Sequence, residues 1–178
     1  MKTIWIILAV IAGLLILLFV IMFGQRLIHN LRRKRETVNT YAIQNLKTGM
    51  NIRPYNAGVA DGISIIQYKP AKWECMTWQM IRLKDGTVLL KNLYTQKTIQ
   101  PARAPASGIP LCQQPLEANP YQYWEFVAEG ENTFRICLKD TDLCITADND
   151  ENNAVLVLRQ WMDDSSQQWN LIEQHPII

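Results

Sequence analysis

Three tryptophans recur at almost equal spacing down the chain: Trp78, Trp124 and Trp169, separated by 46 and 45 residues. Each opens the same short phrase: Trp78-Gln-Met80-Ile81, Trp124-Glu-Phe126-Val127 and Trp169-Asn-Leu171-Ile172. A second marker keeps the same register. Thr48, Thr95 and Thr141 each precede an isoleucine by four residues (Ile52, Ile99, Ile145), and the Thr-to-Trp distances are 30, 29 and 28 residues. Two independent markers in one register define an internal triplication. The repeats span approximately 41–82, 88–128 and 134–173.

Short apolar runs with turn punctuation every eight to twelve residues are the pattern of an all-β domain. Each repeat reads as four strands. The first holds Tyr41–Ile43, Val88–Leu90 or Phe134–Ile136, and the second carries the marker isoleucine. The third is Ser64–Tyr68, Leu111–Gln113 or Ala154–Leu158, and the fourth begins at the tryptophan. Between the second and third strands lies a breaker-rich loop in every repeat: Pro54–Gly62, Pro101–Pro110 and Asp148–Asn153. Units of this length cannot form cores alone, and around a pseudo-three-fold axis they bury their apolar sides together. The expected fold is an all-β β-trefoil, a closed architecture of twelve short strands, preceded by one N-terminal transmembrane helix.

The expected helix comes from Ile4 to Phe23, twenty residues without a charge. At about 1.5 Å rise per residue such a run covers the roughly 30 Å hydrocarbon core of a bilayer. It is longer than the apolar core of a cleaved signal, and Gln25-Arg26-Leu27 supplies no small-residue cleavage site. The expectation is therefore an uncleaved signal-anchor in a single-pass membrane protein, with residues 1–36 as the anchor and 37–178 as the trefoil. Leu27, Ile28 and Leu31 continue a narrow apolar stripe suited to the headgroup layer.

Charge divides along the same line. Residues 1–36 carry six Lys/Arg against Glu36, a net +5, whereas the remaining twelve Lys/Arg and fifteen Asp/Glu leave 37–178 at −3. A nucleic-acid partner has no electrostatic support in the domain. Arg32-Arg33-Lys34-Arg35 follows the apolar run, and only Lys2 precedes it among side chains. The positive-inside rule places the domain in the cytoplasm.

Cys137 and Cys144 flank the Asp140-Thr141 turn symmetrically. Facing strand positions approach closely enough for a disulfide, but a reducing compartment favours two buried free thiols, which is the expectation here. His29 and His175 lie outside the repeats and there is no Cys-x-x-Cys pair, so neither a zinc site nor any cofactor is expected.

The chain resembles the ricin B-type β-trefoil lectin domain family, whose repeats end in Gln-x-Trp. The pattern stands as Gln122-Tyr123-Trp124 and Gln167-Gln168-Trp169, while Met76-Thr77-Trp78 substitutes methionine for glutamine. The resemblance covers about Tyr41 to Ile172. It implies a sugar site per repeat: an Asp just after the second strand, an aromatic ring on the third, and an Asn three residues before the tryptophan. By position the Asp corresponds to Arg53, Gln100 and Thr146. The ring corresponds to Tyr68, Gln114 and Leu158, and the Asn to Cys75, Tyr121 and Ser166. The Asp and the Asn are lost in every repeat, and only Tyr68 keeps a ring.

Another polar constellation takes their place. Asp148, Asn149, Asp150, Asn152 and Asn153 crowd the third repeat's loop, with Trp161 and Gln167 nearby in sequence. Carboxylates and amides that grip hydroxyls, above a ring that covers an apolar sugar face, would bind a carbohydrate or similar polar ligand. Asn and Asp also favour plain solvated turns. The run lacks the glycine and spacing of a calcium loop. Gln113, Gln114, Asn119, Tyr121 and Gln122 form a weaker set in the second repeat.

No catalytic constellation is present, because the repeats contain no histidine, phosphate loop or nucleophile elbow. Two functions follow as expectations. One is a non-catalytic, membrane-tethered, lectin-like module with a glycan ligand. The other is a structural subunit that docks a membrane-protein partner without binding sugar.

Overall fold

The computed structural model describes residues 13–14, 16–25, 38–117 and 119–176. The chain divides after Val38 into two units. Half of the expected membrane span, and all of Arg32–Arg35, lies outside the described residues. Residues 16–25 are helical, and among the described residues no helix is long and apolar enough to cross a membrane.

The second unit is all β. Its strands are β1 (Thr40–Asn45), β2 (Asn51–Pro54), β3 (Ile65–Tyr68), β4 (Trp78–Arg82), β5 (Val88–Asn92) and β6 (Thr98–Pro101), then β7 (Leu111–Gln114), β8 (Trp124–Ala128), β9 (Thr133–Leu138), β10 (Leu143–Ala147), β11 (Leu156–Gln160) and β12 (Gln168–Glu173). The first and fourth strands of each repeat close a six-stranded antiparallel barrel in the order β1, β4, β5, β8, β9, β12 and back to β1. The second and third strands form three hairpins, β2–β3, β6–β7 and β10–β11. This is the β-trefoil.

The two sequence markers are two ends of one hydrogen bond. The indole N–H of Trp78 donates to the Ile52 carbonyl at 3.1 Å, Trp124 to Ile99 at 3.3 Å, and Trp169 to Ile145 at 3.0 Å. All three tryptophans and all three isoleucines are fully buried. The marker threonine shapes the turn that brings the isoleucine round. Its hydroxyl accepts from the backbone N–H two residues on, at Met50, Lys97 and Leu143. Ile43, Leu90, Ile136, Ile65, Leu111 and Leu156 complete the repeated core.

The hairpins interlock cyclically around the axis. Gln67 of β3 donates its backbone N–H to Ala154 and accepts from Asn153, in the third repeat's loop. Gln113 of β7 bonds Ile63 and Gly62 of the first repeat's loop in the same way, and Leu158 of β11 bonds Ile109 and Gly108 of the second's. The donating loop residues share a left-handed backbone: φ is +78° at Gly62, +82° at Gly108 and +71° at Asn153. Glycine and asparagine tolerate that conformation best, which accounts for these breakers.

This docking corrects one expected boundary. The third repeat's third strand begins at Leu156 rather than Ala154, because Ala154 still belongs to the docking loop and accepts from Gln67. Pairing then sets Thr146 against Val157 and Cys144 against Arg159, as Asn51 faces Tyr68 and Thr98 faces Gln114. The structural equivalent of Tyr68 is therefore Arg159, not Leu158. A second correction concerns the cysteines. Cys137 and Cys144 face each other across β9 and β10 and are joined by a disulfide, whereas the expectation was two free thiols. The register sets the two cysteines directly opposite each other, and opposed strand positions lie within about 4.5–5.5 Å, close enough for the bond. Cys75 and Cys112 are free and buried.

Candidate functional site

A cleft of about 360 Å³ opens in the third repeat, where Asp148, Asn149, Asp150 and Gln167 of the expected set line the wall. The loop that carries them is anchored from another repeat: the Gln67 side-chain amide donates to the carbonyls of Asn149 and Glu151 at 2.8 and 3.1 Å. Asn152 and Trp161 do not line this cleft. Asn152 accepts from the Lys69 backbone at 3.1 Å. Trp161 is roofed by the Arg135 guanidinium, 4.9 Å from its ring centroid. No aromatic ring lines the cleft.

Gln167 has a structural task. Its amide donates to the Thr146 hydroxyl at 3.1 Å and the Gln160 carbonyl at 2.9 Å, and its oxygen accepts from Met162 N–H at 2.8 Å. Gln122 repeats the arrangement with Gln100, Pro115 and Glu117. The hallmark glutamine thus fastens the segment after the third strand to the second strand, and a satisfied buried amide of this kind is costly to disturb. In repeat 1 methionine occupies that position, fully buried. Arg53, standing where Gln100 and Thr146 accept, instead folds its guanidinium over Tyr68 at 4.7 Å and Trp73 at 5.9 Å.

The cleft gains residues that sequence proximity does not announce. Lys47 and Asp164 enter its wall, with Lys47 supplied by the first turn of repeat 1. Lys47 Nζ pairs with Asp150 at 2.9 Å, and this carboxylate, hydrogen-bonding first and by charge second, raises the lysine pKa. Hydrogen bonds from Ser166, and then the Lys47 charge, hold the Asp164 carboxyl below its ordinary value. Arg159 pairs with Asp148 at 2.6 Å. The result is an open basin in which acidic and basic side chains alternate. It offers donors and acceptors to a polar ligand but no hydrophobic floor. The signal available in sequence was the repeat itself, since aligning the Asn45 and Asn92 turns marks position 47 as a neighbour of the preceding loop.

The second-repeat set scatters. Gln113 spends its amide N–H groups on the Gly58 and Ala60 carbonyls at 2.8 and 2.7 Å. Asn119 accepts from Tyr121 N–H, and Gln122 is the fastener described above. Among the described residues no group of three or more His, Cys, Asp or Glu is arranged to hold a metal ion.

No family model and no curated protein sequence matches the chain. Solved structures do. A designed three-fold symmetric protein, ThreeFoil, superposes with TM-score 0.72 at 20% identity, over 75% of this chain and 98% of that one. The Rhizoctonia solani agglutinin gives 0.70 at 18%, over 76% and 95%. The Macrolepiota procera ricin B-like lectin, solved with lactose, gives 0.63 at 20%, over 75% and 94%. At these identities the likeness is one of fold: the domain has the β-trefoil architecture of ricin B-like lectins.

Proposed function

We propose that this chain is a non-catalytic, membrane-tethered binding module, lectin-like in fold, that recognises a carbohydrate or similar polar ligand. The observation that carries the reading is the third-repeat cleft. Carboxylates, an ammonium and backbone groups converge there on a loop held rigid from a second repeat. Preorganised polar groups of both signs suit a polyol, whose hydroxyls donate and accept together. The full chain in detergent micelles, applied to a glycan array, is expected to give a reproducible hit. Asp148→Asn combined with Asp150→Asn should weaken it at least ten-fold. An array without hits, or a hit indifferent to both substitutions, would sink the reading.

The second reading is a subunit that docks a membrane-protein partner, and one observation favours it. The positions that grip sugar in the resembling family are Arg53, Gln100 and Thr146 here, and the last two are engaged in holding the hallmark glutamines. A protein that co-purifies stoichiometrically in mild detergent, with the array silent, would select it.

The tether and the orientation belong to the same proposal. The uncharged run Ile4–Phe23 is the anchor, and the basic residues after it direct the domain to the cytoplasmic face. The Cys137–Cys144 bond is of a kind that persists in oxidising compartments. The strand register brings the two sulfurs together on either side of a membrane, so the orientation follows from the charge asymmetry.

A further inference from the structure

The first and second strands of each repeat meet at one ladder pair and then close a tight turn. The pairs are Gln44–Asn51, Lys91–Thr98 and Cys137–Cys144. In repeats 1 and 2 the next residue is a fully buried asparagine, Asn45 or Asn92. The Asn45 side-chain oxygen accepts from the Lys47 and Thr48 backbone N–H groups at 3.1 and 3.2 Å, and its amide donates to the Ser166 carbonyl at 2.9 Å. Asn92 does the same with Tyr94 and Thr95, both at 3.1 Å, and with the Cys75 carbonyl at 3.0 Å. Each asparagine thus shapes its own turn and ties it to another repeat.

Repeat 3 breaks this rule. The equivalent residue is Leu138, buried and without a polar atom on its side chain. Two contacts remain: the Thr141 N–H and hydroxyl donate to the Leu138 carbonyl, and the Lys139 N–H donates to Tyr123, as Leu46 and Leu93 do to their own partners. The turn without an asparagine is also the one closed by a disulfide. An amide's hydrogen bonds hold in any compartment, whereas a disulfide holds only while it stays oxidised.

This turn backs one wall of the third-repeat cleft. The Asp142 carbonyl accepts from the Trp161 N–H at 3.0 Å, and its carboxylate accepts from the Gln160 amide at 3.2 Å. Cys144 stands directly across β10 and β11 from Arg159, which pairs with Asp148. Gln160, Arg159 and Asp148 all line the cleft. On both sides of the turn the strands are held independently, β9 by β8 and β10 by β11 over five residue pairs each. The two cysteines therefore remain neighbours when the bond opens, and it can re-form without refolding.

We propose that Cys137–Cys144 is a redox-responsive clasp, whose reduction by a small cellular thiol frees the turn over residues 139–142 and loosens the cleft wall at Arg159–Trp161. The thiolate attacks the Sγ of Cys137, which is 5% exposed while Cys144 is wholly buried. The S–S bond breaks, and Cys144 leaves as a thiolate that takes a proton from water. A second small thiol attacks the mixed disulfide at the small molecule's own sulfur, releasing Cys137, which is protonated in turn, and a small-molecule disulfide. Two thiols supply the two electrons. Because the sulfurs are buried, the turn must open before each exchange, so either state is long-lived. The cytoplasmic orientation proposed above would set the clasp among such thiols. Loosening of the wall stands apart from what the cleft binds; only its effect on a ligand rests on the lectin-like reading.

The test is hydrogen–deuterium exchange with mass spectrometry on the full chain in detergent micelles, air-oxidised or equilibrated with excess reduced glutathione. Alkylation after denaturation counts free thiols, two in the oxidised form (Cys75 and Cys112) and four in the reduced. Glutathione is expected to yield four. Backbone exchange should then rise roughly ten-fold over residues 139–143 and 156–162 and stay unchanged over 46–50 and 93–97, since local opening is read segment by segment. Cys137→Ser with Cys144→Ser should show the fast pattern with or without glutathione. A count that stays at two makes the bond a permanent staple and overturns the proposal. Equal exchange in the two states overturns it as well, as does faster exchange across the whole trefoil, which would make the bond a requirement of the fold. A silent glycan array with the segmental pattern intact removes the lectin-like reading and leaves the clasp standing.

Discussion

A buried indole satisfies two demands with one side chain: it fills volume near the three-fold axis, and its N–H finds the carbonyl of the marker isoleucine. Truncating Trp124 to alanine should therefore destabilise the domain by about 3–5 kcal/mol, read from the midpoint of denaturant unfolding. Trp124→Phe keeps most of the volume and orphans only the Ile99 carbonyl, so its cost should be smaller, about 1–3 kcal/mol. Equal losses in the two variants would show that the indole hydrogen bond contributes nothing. Titration is legible at the same scale. The Asp85 carboxyl lies well below its ordinary value of 3.8, held there by Lys139 first and then by Thr87. Asp164 is depressed by Ser166 and Lys47. A depressed folded-state pKa means stability that is present above the unfolded value and lost as pH falls through the folded one. The unfolding midpoint should thus decline as pH drops below about 4, and Asp85→Asn should flatten that acid limb. Both carboxylates sit at the surface, so added salt should shrink the effect.

The hairpin between β9 and β10 is the one element in which covalent chemistry was available to the fold. Its cysteines are seven residues apart in sequence, and a loop that short limits the entropy a bond can remove from the unfolded chain to about 2.5 kcal/mol. Replacing both by serine should lower the oxidised protein's stability by up to that amount while the trefoil persists, and loss of the fold would contradict this. Elements also show where the sequence was readable. The Thr and Trp markers stand out because each repeat must remake the same indole–carbonyl bond from local residues. The start of β11 was misjudged because Ala154, alternating and apolar like a strand residue, is held by Gln67 from another repeat. That single shift moved the ring position from Leu158 to Arg159. Trp161 follows the third strand closely, but it packs against Arg135 of β9 and does not line the third-repeat cleft. In both cases the deciding contact comes from distant sequence.

Across the whole molecule, the charge asymmetry makes a topological prediction. Protease added outside intact cells should leave the domain whole, and in inside-out vesicles should release it from the membrane; the opposite pattern would reverse the orientation. The architecture itself follows from repetition. Three incomplete units, each with one apolar side and one loop that needs the next unit's third strand, have a common solution in a closed ring. The sequence alone was sufficient for that conclusion, because period, marker spacing and breaker placement are local and repeated three times. Only the tertiary structure decided what the ring displays. It brought Lys47 to Asp150 across two repeats and retired Gln167 into a structural bond. Such surfaces are assembled from residues far apart in the chain, whose proximity depends on how the loops dock and not on their spacing.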